Sequence, residues 1–298
     1  MSSLEHLKQD GGNYVTVDGY PFDGAKRAEH ERLERQSAAM LGIMHDRLVH
    51  APVQNPRRIL EIGCGTGATI IRLAEQYPEA HVIGVDPHPV PPIHEKPSNA
   101  RYLLGRFEDL FEEGHADLQP ASFDYVFARW MVCTVTDWPA YLKRCYALLA
   151  PGGWLEMHEG ANVEFFSAKS ADKRIDDDWS WNKAIVAGCR RKGFEFDIGK
   201  KLATYFSKYT GLVDIDSRYY PLTTTPWPEK PETDLCTRYM QESGVATVRG
   251  MTKMLVNGTD GIEGNELEEM LEEAERTQSN PAIKGVHWRF YTVWGQRT

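Results

Sequence analysis

An α/β fold, a largely parallel sheet covered by helices on both faces, is what this sequence predicts, and three observations predict it. Four short apolar runs, RRILEI, AHVIGVD, ARYLL and FDYVFA, alternate with helical stretches such as ATIIRLAEQY and DWPAYLKRCYALL. That is the rhythm of parallel strands joined by helical crossovers. The first run ends in a glycine loop, with Gly63, Gly65 and Ala68 at the spacing G-x-G-x-x-A, a turn from strand to helix that lets the backbone approach a ligand closely. The chain closes on GVHWRFYTVWGQR, aromatic and β-prone, suited to return to the sheet as its last strand.

Each element follows in order. From about Lys26 to His50, the residues Leu33, Met40, Leu41, Met44 and Leu48 recur at roughly helical spacing among charged positions, so a helix precedes the glycine loop. The four strands and their helices come next. In APGGWLEMHE the turn Pro151-Gly152-Gly153 stops a helix and releases the chain into a fifth strand, and the core runs to about Gly160. Beyond it, residues 161 to 210 read as helical, GLVDIDSRYYPL as a sixth strand, TTTPWPEKPETD as a proline-punctuated loop and 232 to 278 as helical again. Helices inserted after strand five would cap the carboxyl ends of the strands, where open α/β sheets bind ligands. The expected organisation is an N-terminal helical segment (1–55) closing over the ligand, a binding core (56–160), and a helical cap with the final strands of the same sheet (161–298).

Composition excludes several classes. The 298 residues are 41% hydrophobic, enough for a conventional core, and carry a formal charge of -9. Phosphate backbones and anionic lipid surfaces repel such a chain as a whole, so neither nucleic acid nor membrane is an expected partner. The cysteines Cys64, Cys133, Cys145, Cys189 and Cys236 are odd in number and contain no C-x-x-C pair, which argues against a disulfide framework and a thiolate zinc site. They read as reduced thiols. The start, MSSLEHLKQDGGNY, has no apolar signal region, and a cytoplasmic protein is expected. In RIDDDWSW the acids Asp176, Asp177 and Asp178 read as a helix start, not as ligands, and no catalytic metal is expected. The basic stretch Lys169 to Lys208 and the acidic EGNELEEMLEEAE read as solvated faces. Oligomeric state has no signature in the sequence.

The glycine loop suits either a dinucleotide or S-adenosylmethionine, and its neighbours separate the two. Glu61 stands two residues before Gly63, where a pyrophosphate would meet a negative charge and an ammonium group would find a partner. Asp86 ends strand two and can accept a ribose diol of either cofactor. No Tyr-x-x-x-Lys pair, the proton-donor arrangement of short-chain reductases, occurs in the chain.

At these residues a family resemblance enters. LEIGCGTG, the strand end GVD, FDYVFARWMVCTVTDWPAYLKRCYALLAPGGWLEMHE and HWRFYTVWGQR resemble class I S-adenosylmethionine-dependent methyltransferases, and more narrowly the LaeA-like group of fungal secondary metabolism. YPFDGAKRAEHERLERQ is similar to that group's tyrosine-proline entry and acidic E-x-R-L helix, and YYPLTTTPWP continues the likeness, which covers roughly residues 13 to 296. The resemblance implies a Rossmann-like sheet of seven strands, S-adenosylmethionine as cofactor and S-adenosylhomocysteine as product. After strand three the family shows an acid near the adenine, whereas LLGRFEDL puts Arg106 there and the acids two positions later.

The expected cofactor contacts are Glu61, Gly63, Cys64 through its backbone N–H, Gly65, Gly67, Asp86 with Pro87, then Arg106, Phe107 and Glu108 on the adenine side, and Arg129 at the end of strand four. Tyr14, Tyr20 and Arg32 belong to the segment that closes over the cofactor. His158 and Glu159 close strand five beside the expected acceptor, and histidine is the side chain best poised to take a proton near neutral pH. The aromatics Phe165, Phe166, Trp179, Trp181, Tyr219, Tyr220, Trp227 and Trp288 supply mostly core, with a few lining an apolar acceptor pocket. The leading expectation is methyl transfer to oxygen or nitrogen of a small, largely apolar metabolite. A LaeA-type regulator acting through protein partners, and a rearrangement or cyclisation that uses the cofactor without methyl transfer, are the alternatives.

Overall fold

The computed structural model describes residues 26–170, 172–256 and 262–298; Tyr14 and Tyr20 lie outside them. Seven strands form one sheet in the order β3-β2-β1-β4-β5-β7-β6. They are β1 (Arg58–Ile62), β2 (His81–Asp86), β3 (Ala100–Leu104), β4 (Phe123–Arg129), β5 (Leu149–Phe166), β6 (Leu212–Thr223) and β7 (His287–Arg297). The first five run parallel, and β7 inserts antiparallel between β5 and β6. The strand order reverses at the β1–β4 pair, which places a ligand crevice at their carboxyl ends.

The helices are α1 (Arg27–Ile43), α2 (Ala68–Gln76), α3 (Phe107–Glu112), α4 (Trp138–Leu148), α5 (Ser180–Lys192), α6 (Ile198–Tyr209), α7 (Asp234–Tyr239), α8 (Val245–Val256) and α9 (Gly264–Gln278). Helices α1 and α2 pack together, as do α4 and α6, and they enclose the sheet. The central strands are apolar on both sides: Ile59, Leu60, Tyr125, Val126 and Phe127 are fully buried, as a two-faced parallel sheet demands. Asp137 caps α4 by accepting from the Ala140 N–H at 2.9 Å. Gly153 is forced by the sheet that follows, because a Cβ there would come 2.8 Å from the Phe123 carbonyl. Among the described residues no helix is long and apolar enough to cross a membrane.

The structure corrects three expectations. Strand five does not stop near Gly160 but continues to Phe166, paired with β7, so 161–166 is strand and His158 stands inside the strand. The cap is not one insertion after strand five: α5 packs on α8 and α9, which come from the later insertion between β6 and β7, while α6 packs against β5, β6 and β7 as a layer of the core. The acids 176–178 do not start α5. Glu273 of α9 caps it, accepting from the Ser180 N–H at 3.0 Å and the Trp181 N–H at 3.3 Å. Asp176, buried, instead accepts from the Phe165 N–H, Arg174 and Asn182, closing the far end of β5 onto the cap.

Candidate functional site

A single pocket runs from the carboxyl ends of β1, β2 and β4 to the underside of the cap. Its polar end is built by the glycine loop. Gly63 and Gly65 hold φ of 75° and 54°, in the left-handed region that favours glycine, and a Cβ on Gly63 would come 2.7 Å from the Met131 sulfur. Glu61, Cys64, Asp86, Pro87, Arg106, Phe107, Glu108, Arg129 and Arg32 all line the pocket. Most of the cofactor set expected from sequence is therefore brought together.

Two members of that set are placed otherwise. Gly67 is not a wall; its φ is 81° and a Cβ would come 2.7 Å from the Tyr102 hydroxyl, so it serves the turn. The Cys64 N–H is not offered to a ligand, because it and the Gly63 N–H both donate to the Val85 carbonyl, at 3.1 and 2.8 Å. The Gly65 N–H donates to Asp86 Oδ2 at 2.8 Å and the Gly67 N–H to the Cys64 carbonyl at 2.8 Å. The loop thus shapes a close approach and spends its donors internally. That is a poor cradle for a diphosphate, which would need them.

The charges are arranged differently. Glu61 is buried, and its Oε2 has no hydrogen-bond partner among the described residues. Arg129 donates through Nη2 to Thr69 Oγ1 at 2.9 Å and Ser37 Oγ at 3.2 Å, while its Nη1 has no such partner. Burial pushes the Glu61 carboxyl up to about 8 against the pull of Arg129. One unmet carboxylate oxygen and one unmet guanidinium nitrogen in the same pocket complement an α-amino acid group, ammonium to Glu61 and carboxylate to Arg129. Asp86, held by the Gly65 and His88 N–H groups at 2.8 and 2.9 Å, keeps lone pairs for a diol. These residues fit S-adenosylmethionine and do not fit a dinucleotide.

Arg32 is committed elsewhere: Nε and Nη2 meet Glu29 at 2.7 Å each and Nη1 meets the Tyr239 hydroxyl at 2.9 Å, tying α1 to α7 beside the pocket. The apolar end is lined by Phe165, Trp181, Ile185, Phe196, Leu222, Met240, Met251 and Trp288. Of the eight C-terminal aromatics read from sequence, Phe165, Trp181 and Trp288 are walls. Phe166, Trp179, Tyr219, Tyr220 and Trp227 are not. Trp130, Met131, Val132 and Cys133 are further walls, none singled out in the sequence as a site residue. Their signal was the break after FDYVFAR, where a strand gives way to a short turn without glycine.

The expected catalytic pair is corrected. His158 is fully buried and absent from the pocket walls. Its Nε2 lies 2.6 Å from Glu156 Oε1 and its ring is packed edge-on against Phe127, Phe290 and His50. Burial lowers its pKa to about 4, against the Glu156 hydrogen bond. The reason is the length of β5: position 158 is mid-strand, and the acceptor end of the pocket is reached only at Phe165. Glu156 itself accepts from the His50 and Ala51 N–H groups, the Tyr125 hydroxyl and the rings of His50 and His158. His50, Glu156 and His158 lie close enough to hold a metal ion, yet His50 Nδ1 and His158 Nε2 already meet Glu156 and His50 Nε2 meets the Tyr220 hydroxyl. Glu159 points to the other side of the sheet and accepts from the Met131 N–H at 2.5 Å, supporting the 131–133 turn; it is not a wall either.

Comparison with known proteins finds methyltransferases. A methyltransferase domain model matches residues 60–155. Methyltransferase pytC of Aspergillus terreus is 30% identical over 242 residues, covering 79% of this chain and 70% of that protein. The secondary metabolism regulator laeA of Aspergillus fumigatus is 36% identical over 114 residues, 38% of this chain and 29% of that protein. Among solved structures, phosphoethanolamine N-methyltransferase 2 of Haemonchus contortus in complex with S-adenosyl-L-methionine is similar with a TM-score of 0.48 and 17% identity, over 89% of this chain and 52% of that one.

Proposed function

We propose that this chain, which belongs to the class I S-adenosylmethionine-dependent methyltransferases of the LaeA-like group in fungal secondary metabolism, methylates an oxygen or nitrogen of a small, largely apolar metabolite. The observation that carries the reading is the two-ended pocket, with an unpartnered carboxyl oxygen and an unpartnered guanidinium nitrogen complementary to an amino acid at one end and aromatic walls at the other. S-adenosylmethionine supplies a methyl group on a cationic sulfur, and S-adenosylhomocysteine is the product. Glu61 and Arg129 hold the amino acid group, Asp86 the ribose, and Arg106, Phe107 and Glu108 border the adenine. Helix α1, which lines the pocket with Leu33, Gln36 and Ser37, closes the N-terminal side. In-line transfer asks the protein mainly to align donor and acceptor and to exclude water, which a buried aromatic lobe does. Walls such as Phe165, Trp181 and Trp288 suit a small apolar metabolite.

The test is whether a candidate biosynthetic intermediate gains one methyl mass with stoichiometric release of S-adenosylhomocysteine. Asp86→Ala should cripple cofactor binding and turnover together. Cofactor binding with no methyl gain across acceptors would leave the regulatory or non-methylating readings in its place.

A further inference from the structure

The turn that follows β4 is a pocket wall held in place from the neighbouring strand. Trp130, which opens it, has φ 59° and ψ 39°, the left-handed region that a bulky side chain rarely adopts. Such backbone persists only where its surroundings over-determine it. After it, Met131–Cys133 form one short helical turn, closed by the Thr134 and Val135 N–H groups on the Met131 carbonyl at 2.9 and 3.0 Å. Two consecutive residues of β5 hold the other end. The His158 carbonyl accepts from the Trp130 N–H at 3.1 Å, and the Glu159 side chain accepts from the Met131 N–H at 2.5 Å, with the Val132 N–H acting on the same carboxyl.

Glu159 is fully buried and has little room to turn elsewhere. Helix α6 crosses β5 so closely there that a Cβ on Gly199 would run into the Glu159 carbonyl. Burial raises the side-chain carboxyl to about 8 against the pull of the two N–H groups. Near neutral pH it therefore serves mostly as an uncharged acid whose Oε1 accepts. What the turn carries is Met131. A Cβ on Gly63 would come 2.7 Å from the Met131 sulfur, so the thioether stands over the glycine loop, and both residues are pocket walls. A shift of the turn would move this wall, although Glu159 itself does not touch the pocket.

We infer, on the S-adenosylmethionine reading above, that Glu159 is a positioning residue for cofactor binding: by fixing the 131–133 turn it holds the Met131 side chain over the glycine loop, where it packs on the bound cofactor.

The experiment is a double-mutant cycle read by calorimetric titration of S-adenosylhomocysteine into the full chain at neutral pH. Each variant is held well below its unfolding midpoint, where a loss of stability alone leaves the folded fraction, and so the affinity, unaltered. Glu159→Ala should weaken binding about tenfold, and Met131→Ala by a similar factor. Because one side chain acts through the other, the double variant should lose little more than either alone, rather than the product of about a hundredfold. Glu159→Gln keeps a neutral acceptor oxygen and should bind within about twofold of wild type. If Glu159→Ala does not fold, Glu159→Asp, which withdraws the carboxyl by one methylene, carries the cycle. Affinity within about twofold of wild type in the alanine or aspartate variant, losses that multiply, a glutamine variant no better than alanine, or failure of both alanine and aspartate variants to fold overturns the inference. Failure of the cofactor reading shows separately, as wild-type protein that does not take up S-adenosylhomocysteine.

Discussion

Glu61 and Glu156 are both buried, both on parallel strands of one sheet, and their surroundings are opposite. Around Glu156, burial alone would raise the carboxyl, but the hydrogen bonds from His158 and His50 hold it down at about 2. Around Glu61 the donors fall short, one oxygen has no partner, and burial wins, pushing it to about 8. A buried carboxylate whose lone pairs are met by its own chain fixes structure; one left short, in a pocket, is equipped to meet a ligand. The Glu156 knot clamps the 49–51 segment, which continues from α1, onto the sheet, and so holds the helix that lines the pocket.

The sharpest way to break this contrast is to exchange what each glutamate loses. Glu156→Ala should destabilise folding by about 3–5 kcal/mol, because it strands buried donors and two histidines at once. Denaturant unfolding measures it, and a cost under about 1 kcal/mol would mean that the knot is ornamental. Glu61→Gln should do the reverse. Folding should be unchanged or slightly firmer, since a poorly met buried carboxyl is removed, while calorimetric affinity for S-adenosylhomocysteine falls about 10- to 100-fold. Equal affinity in the variant would remove Glu61 from the site.

The same contrast predicts two separate limbs in a stability-versus-pH curve. His158 is lowered from 6.5 to about 4 and Glu156 from 4.5 to about 2. Both folded-state values lie below the unfolded ones, so the unfolded chain binds more protons and stability falls on acidification, from about 6.5 to 4 through His158 and from about 4.5 to 2 through Glu156. Glu61 and Glu159 are each raised by burial from 4.5 to about 8. Their contribution is present below about 4.5 and is lost as pH rises toward 8. Glu61→Gln, or saturating S-adenosylhomocysteine, should flatten part of the alkaline limb and leave the acid limb untouched. A single limb affected by both variants would merge the two regions.

How far these regions were legible in the sequence follows from how they are built. Apart from the α1 walls, the polar end of the pocket comes from one continuous stretch, 58–134, in which strand, glycine turn and helix each carry a local signal, so the places of Glu61, Gly63, Gly65 and Asp86 on the pocket wall were legible. Even there, the use of the Cys64 N–H was misread, because its acceptor, the Val85 carbonyl, is on another strand. The acceptor end is assembled from Phe165, Trp181, Met251 and Trp288 on four separate elements, and no local pattern distinguishes a wall from core. His158 was misplaced for a simpler reason. EGANVEFF extends β5 through long-range pairing with β7, which turned an apparent strand end into a strand interior.

The smallest expected effect concerns that histidine. Its Nε2 faces Glu156 at 2.6 Å, and its Nδ1, without a partner among the described residues, lies in a ring packed against Phe127 and Phe290. A general base must come within hydrogen-bond reach of the proton it takes, and this ring reaches no pocket wall position. His158→Gln keeps an amide donor for Glu156 and should therefore cost about 1 kcal/mol of stability while leaving kcat within about twofold. If instead kcat fell about 100-fold with an unchanged unfolding midpoint, the histidine would be acting on the acceptor after all. The knot around Glu156 would then belong to the chemistry, and the division between a structural and a binding carboxylate would fail on its structural side.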